Sequence, residues 1–190
     1  MISEKLRHEN WSEVDWHYIK GLSDAIEKVQ RKYVCITKDD QLFHLEHVFA
    51  YELYYKWRGV LRRKGGNPQK LILNGELSKH YCKTSCYRFP DLVLHKQYEK
   101  SKDDENQFVI CEIKSSRHRI TTKALKKDVK SLFGGITDLS YKCGVFIYLG
   151  IDFEHIIHRM REIIRKLELN TEKRIIFVGV DGNEYQYEIL

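Results

Sequence analysis

Apolar residues along this chain of 190 residues are grouped in segments with two different periods. Apolar positions three and four residues apart predict helices, and short apolar runs bounded by polar residues predict strands. Helices are predicted over about 12–32, 39–63, 121–133 and 153–168. Strands are predicted over about 71–76, 89–95, 108–114, 143–149, 175–180 and 184–189. Helices that separate strands in this order predict an α/β sheet that is covered by helices on both faces.

Two of the predicted strands carry ionisable residues inside apolar sequence. The strand at 89–95 contains Pro90 and Asp91, and the strand at 108–114 contains Glu112. Strands that are apolar on both faces rarely hold ionisable residues without a functional reason. The segment between the two strands is polar and has little to bury, so the pair is predicted to form an antiparallel hairpin with a long tip.

A symmetric pairing of this hairpin places position 96 opposite 107 and Asp91 opposite Glu112. Opposed side chains lie about 5 Å apart, so the two carboxylates repel each other unless something neutralises them. A divalent cation is the natural candidate, and an all-oxygen site suits Mg²⁺, with Mn²⁺ able to substitute. Lys114 points to the same face as Glu112 and could stabilise negative charge or help to activate a water.

Pro90-Asp91 followed by Glu112-Ile113-Lys114 resembles the PD-(D/E)xK signature of the restriction-endonuclease-like nuclease superfamily. The resemblance implies a divalent-metal-dependent nuclease that hydrolyses phosphodiester bonds, with an endodeoxyribonuclease as the leading assignment. It also implies that Asp91, Glu112 and the backbone carbonyl of Ile113 hold Mg²⁺, and that Lys114 assists the attack of water. A catalytically silent nucleic-acid-binding or assembly module on the same fold is the alternative. A metal-free interaction domain with a coincidental motif is a third hypothesis.

The core of that fold is a helix, three antiparallel strands, a second helix, and a strand parallel to one of the first three. The elements predicted over 39–150 follow this α-β-β-β-α-β order. The resemblance therefore implies a mixed sheet flanked by helices, with two additions to the core. These are an N-terminal helix within 1–38 and a C-terminal helix and β-hairpin within 151–190, all packed as one compact domain.

The resemblance further implies that the helix before the sheet supplies another acid to the site. Two acids are available there, Glu46 and Glu52. Six residues on a helix correspond to about 240° of rotation, so only one of them can face the site. Glu46 lies on the predicted apolar stripe and is preferred, although a role in the first turn of the helix is the alternative. Glu76, at the end of the next strand, is a third candidate, although a surface position at the sheet edge is favoured for it.

Basic residues directly follow the second strand of the hairpin and continue along the next helix. They are Arg117, Arg119, Lys123, Lys127 and Lys130. A nucleic acid that crosses the metal site would present its phosphates to these side chains, and a solvated helix face is the alternative. The formal net charge of +6 is compatible with a polyanionic partner and does not identify one.

Composition excludes some classes of protein and leaves others open. Hydrophobic residues make up 42% of the chain and charged residues 32%, which is typical of a soluble globular protein. No stretch approaches the roughly 18 apolar residues that span a bilayer, and no secretory signal is predicted. The odd number of cysteines, five, then indicates reduced thiols and a cytoplasmic protein. The expected partner is nucleic acid, with DNA preferred, and a homodimer stays open.

A zinc site is a weaker hypothesis. His80, Cys82 and Cys86 lie close together and could supply half of one. A structural zinc site takes four ligands, usually in closely spaced pairs, and the sequence offers no second pair.

Overall fold

A computed structural model describes residues 11–38, 41–75, 90–96, 107–115, 120–169, 175–181 and 184–190. The helices in these ranges are α1 (Glu13–Ile26), α2 (Arg31–Val34), α3 (Glu46–Leu61), α4 (Thr122–Asp138) and α5 (Phe153–Lys166). The strands are β1 (Cys35–Lys38), β2 (Gln41–His44), β3 (Ile72–Gly75), β4 (Leu92–His95), β5 (Gln107–Ser115), β6 (Cys143–Leu149), β7 (Ile175–Asp181) and β8 (Glu184–Ile189). None of the described helices is long and apolar enough to cross a membrane.

Six of these strands form one mixed sheet in the order β3-β4-β5-β6-β7-β8. The pairs β3–β4, β4–β5 and β7–β8 are antiparallel, and the pairs β5–β6 and β6–β7 are parallel. The predicted α/β sheet is therefore confirmed. The order α3-β3-β4-β5-α4-β6 is also the order that the sequence predicts for residues 39–150. Membership of the restriction-endonuclease-like fold itself stays a prediction.

Helices cover both faces of the sheet, as predicted. On one face, α1 and α3 contribute Leu22, Phe49 and Trp57 to a core that includes alternate residues of β5. On the other face, α4 and α5 contribute Leu132 and Met160 to a second core. Because successive side chains of a strand point to opposite faces, β5 divides its residues between the two cores. Val109, Cys111 and Ile113 belong to the α1–α3 side, and Ile110 belongs to the α4–α5 side.

The N-terminal third differs from the prediction in two places. α1 begins with the predicted cap, in which Ser12 Oγ accepts a hydrogen bond from the Asp15 N–H at 3.1 Å, but the helix ends at Ile26 instead of near residue 32. Residues 41–44, predicted to be the first turn of the next helix, form β2 and pair with β1. A short segment takes its conformation from its pairing partner more than from its own propensity. As a consequence, Glu46 is the first residue of α3.

The length of α4 also differs from the prediction. This helix runs through Gly134 and Gly135 to Asp138, although the two glycines predicted its end. A Cβ atom on Gly135 would lie 2.7 Å from Cδ1 of Ile110, so the glycine allows α4 to pack closely on β5. Tertiary packing thus maintains the helix where local propensity disfavours it.

Candidate active site

The β4–β5 hairpin has the predicted register over three pairs. These pairs are Leu92 with Cys111, Val93 with Ile110, and Leu94 with Val109. The register then shifts, and His95 pairs with Gln107, so the predicted opposition of 96 and 107 is wrong. At the other end, Asp91 lies in a bend immediately before β4. It therefore does not form the predicted ladder pair with Glu112.

Asp91 instead extends the β4–β5 pairing through its side chain. Its N–H donates to the Cys111 carbonyl at 3.1 Å, and its Oδ2 accepts from the Ile113 N–H at 2.6 Å. The same edge of β5 continues to Ser115, whose N–H donates to Glu46 Oε2 at 3.0 Å. Buried backbone donors need partners, and beyond the start of β4 no described strand supplies them on this edge. Two carboxylates thus complete the hydrogen bonding of β5 where the strands separate.

Glu112 points toward α4. Its side chain is 7% exposed, and its Oε1 accepts a hydrogen bond from Ser131 Oγ at 2.7 Å. One turn earlier on the same helix lies Asp128, which is 6% exposed and whose Oδ2 has no hydrogen-bond partner among the described residues. The buried face of α4 therefore contributes a hydroxyl and a second acid to the surroundings of Glu112.

The sequence prediction missed Asp128, because it stands within a run of lysines. The signal that could have found it is its position on the helix. Leu125, Val129 and Leu132 recur at helical spacing and are all buried, and Asp128 lies on that stripe. Lys123, Lys127 and Lys130 are exposed.

Lys114 lies among four acids. Its Nζ is 3.7 Å from Glu46 Oε1. Burial lowers the pKa of the Lys114 ammonium, but the negative charges of Asp128, Glu46, Asp91 and Glu112 outweigh burial and raise this pKa above its ordinary value. Lys114 is therefore held in its charged form at neutral pH.

Burial raises the pKa of Glu112 to about 7. The hydrogen bond from Ser131 opposes this rise, and the charges of Asp91 and Asp128 add to it. Burial likewise raises the pKa of Asp91, against the effect of the Ile113 N–H. The repulsion between Asp91 and Glu112 that the sequence predicts raises the pKa of Glu112 in the same direction, but desolvation is the larger cause.

A cavity of about 180 Å³ adjoins this group of charges. Its lining residues are Glu46, His47, Ala50, Tyr51, Tyr54, Gly75, Asp91 and Leu92. Two predicted site acids, Glu46 and Asp91, therefore border open space. Glu112 and Lys114 are not among the lining residues.

Glu52, the other candidate acid of α3, forms an ion pair with Lys56 at 2.9 Å. Arg117, Arg119 and Glu76 lie outside the described residues, and so do the three residues of the zinc hypothesis, His80, Cys82 and Cys86.

The described residues hold no group of three or more His, Cys, Asp and Glu side chains arranged to bind a metal ion. Metal ligation by Glu46 together with Asp91 and Glu112 stays a prediction. Both Glu46 oxygens face β5, one toward the Ser115 N–H and the other toward Lys114.

Comparison with models of protein families, with curated proteins and with solved structures finds no match for this chain.

Asp128→Asn is expected to lower the pKa of Lys114, because Asp128 exerts the largest of the attractive effects on this ammonium. The pKa can be followed by NMR titration of the Lys114 side chain. Asp138→Asn is the matched control, since Asp138 is exposed at the end of the same helix. An unchanged Lys114 pKa in Asp128→Asn would show that Asp128 does not act on the site.

Proposed function

We propose that this protein is a divalent-metal-dependent nuclease whose centre lies where β4 and β5 separate. The observation that carries the proposal is the position of the Asp91 carboxylate. It is held by the Ile113 N–H in the bend before β4, directly beside the Glu112-Ile113-Lys114 segment of β5. The two halves of the PD-(D/E)xK-like signature are thus adjacent in space, although 20 residues separate Asp91 from Glu112 in the chain.

The donor set fits Mg²⁺. This ion is commonly held by one or two carboxylates and retains several waters, so two protein carboxylates are sufficient. Asp91 and Glu112 each commit one oxygen to a hydrogen bond, from Ile113 and from Ser131, which fixes the carboxylate and leaves its second oxygen for a cation. In a strand, the N–H and C=O of one residue point in the same direction, so the Ile113 carbonyl faces the side of Asp91.

The charge of the site supports the same assignment. Four acids surround one lysine, and the pKa values of Asp91, Glu112 and Asp128 are all raised. Buried carboxyl groups with raised pKa values mark negative charge without enough compensation, which is typical of functional sites. A bound divalent cation would supply that compensation, lower the pKa of a coordinated water, and offset the charge of the scissile phosphate.

Lys114 then acts as an electrostatic stabiliser of the transition state. Because its pKa is raised, it stays protonated and donates hydrogen bonds to developing negative charge instead of accepting a proton from water. Glu46 is the residue that positions Lys114, through the contact at 3.7 Å. This role is an alternative to the metal ligation that the sequence predicts for Glu46.

The exposed lysines of α4 are the proposed phosphate contacts. Changing Lys123, Lys127 and Lys130 to alanine is expected to weaken DNA binding equally for all sequences. The slope of log K against log salt should decrease in magnitude by about 0.9 for each phosphate contact that is lost. Fluorescence anisotropy over a salt series measures both effects.

The control for this series changes Lys20 in α1 and Lys28 just after it, which are both exposed. Helix α1 packs on the other side of the sheet. An affinity and salt slope that stay the same in the α4 variant would identify its lysines as a solvated face. The nucleic acid would then have to approach from another surface.

The proposed function is tested by incubating the purified protein with supercoiled plasmid, linear duplex, single-stranded DNA, branched DNA and RNA. We expect phosphodiester cleavage of DNA that requires Mg²⁺ or Mn²⁺ and stops with EDTA. Binding without cleavage of any substrate would favour the catalytically silent module. Failure both to bind and to cleave would reject the proposal.

A further inference from the structure

Helix α3 exposes an unusual number of large apolar side chains. Val48, Tyr51 and Tyr55 are 42%, 70% and 69% exposed, and they are three of the five large hydrophobic residues that are exposed in the described part of the chain. Their spacing of three and four residues aligns them along one side of the helix. The opposite side of α3 is already buried in the core through Phe49, Leu53 and Trp57. The exposed side is therefore available for a ligand, as continuous exposed apolar surfaces often are.

This surface leads directly into the candidate active site. Tyr51 and Tyr54 line the cavity together with Glu46 and Asp91. A ligand that lies on the tyrosines therefore reaches the carboxylate of Asp91 without crossing another element. The aromatic part of the cavity and its acidic part belong to one concave surface.

Cations lie beside the aromatic rings of α3. The guanidinium of Arg58 lies 5.6 Å from the centre of the Tyr54 ring. The ammonium of Lys56 lies 5.6 Å from the centre of the Tyr55 ring and also forms the ion pair with Glu52. Arg62 and Arg63, which follow the helix, are exposed. A single nucleic-acid strand is bound by aromatic rings that stack on its bases together with cations that contact its phosphates. An apolar protein partner would not need these cations.

We infer that Tyr51, Tyr54 and Tyr55 form a stacking surface for unpaired bases of the nucleic-acid strand that enters the active site. Bases inside a duplex are stacked on each other and cannot lie on a protein ring, so this surface selects substrates with unpaired nucleotides beside the scissile phosphate. The inference rests on the proposed nuclease function for the position of the cut, but base stacking on α3 can be tested without cleavage.

The test measures binding in EDTA, where no cleavage occurs. The probes are a labelled oligothymidylate, the same oligomer with abasic sites, an oligouridylate and a blunt duplex. Wild-type protein is expected to bind the oligothymidylate roughly 5- to 150-fold more tightly than the abasic oligomer. Tyr51→Ala should lose most of this preference and leave binding of the abasic oligomer and the duplex unchanged. Tyr51→Phe is the matched control, because it keeps the ring, and should bind as wild type does.

The outcomes separate this inference from the proposed function. Equal binding of normal and abasic oligomers, with Tyr51→Ala unchanged, would overturn the stacking surface even if Mg²⁺-dependent cleavage occurs. A change of oligomeric state in Tyr51→Ala, without loss of oligomer binding, would overturn it in favour of a contact between copies of this chain. Ring-dependent binding without cleavage in Mg²⁺ would support the stacking surface and reject the nuclease. Ring-dependent binding of the oligouridylate would extend the same surface to RNA.

Discussion

Asp91→Asn and Glu112→Gln are each expected to reduce Mg²⁺-dependent cleavage by a factor on the order of 10³ or more. Each substitution removes a negative charge that would hold the cation. Each also keeps the hydrogen bond that orients the residue, because the amide oxygen can accept from the Ile113 N–H or from Ser131 Oγ. The folded structure should therefore persist. Single-turnover cleavage measures the effect, and circular dichroism checks the fold.

Glu162→Gln is the matched control for these variants. Glu162 lies on α5, and its carboxylate pairs with Lys166 one turn along the same helix, at 3.7 Å. Its cleavage rate should stay within about twofold of wild type. Lys114→Ala should lose cleavage as the acid variants do and still bind Mn²⁺, since it contributes charge and no ligand. An Asp91→Asn variant with wild-type activity would move the catalytic centre to another part of the molecule.

The metal-free protein is expected to lose stability as the pH rises from about 4.5 to about 7, because of Glu112. Its pKa is about 7 in the folded state, against an ordinary value of 4.5. Between these values the folded state binds more protons than the unfolded state, so the free energy of unfolding decreases with rising pH. Above pH 7 the full cost of the buried charge is present, on the order of 3 kcal/mol. The raised pKa values of Asp91 and Asp128 act in the same direction.

Glu112→Gln isolates this effect. In EDTA at pH 8 the variant should be more stable than wild type by up to about 3 kcal/mol, and the difference should shrink toward pH 4.5, where wild-type Glu112 is protonated as well. Urea unfolding at several pH values measures this difference, and Glu162→Gln serves again as the control. Mg²⁺ should stabilise wild type at pH 8 more than at pH 5, because its ligands must be deprotonated. A difference between Glu112→Gln and wild type that is independent of pH would contradict the raised Glu112 pKa.

The local sequence pattern was sufficient to predict those helices and strands whose apolar residues recur with a clear period. The apolar runs of β5, β6 and β7 and the amphipathic α5 were all predicted close to their observed bounds. Their period is a property of neighbouring residues, so it can be seen in the sequence. The pairing of Leu92 to Leu94 with β5 was also predicted correctly, although the opposition of 96 and 107 from which it was counted is wrong, because the register shifts between Leu94 and His95.

The tertiary structure decided the features that depend on residues distant in the chain. Residues 41–44 form β2 because β1 is available to pair with them, and α4 continues past Gly135 because Ile110 occupies the space of a side chain. Glu46 accepts a hydrogen bond from the Ser115 N–H across 69 residues and lies beside Lys114, and no local pattern predicts these contacts.

The burial of Asp128 is another feature that only the tertiary structure decided. In the sequence it is one acid among lysines, and only the packing of α4 on β5 buries it beside Glu112 and Lys114. The raised pKa of Glu112 has the same origin, because desolvation depends on everything that surrounds a carboxyl group and not on its neighbours in the chain. The sequence therefore identified most residues of the site, whereas their ionisation and their contacts with each other depend on the folded structure.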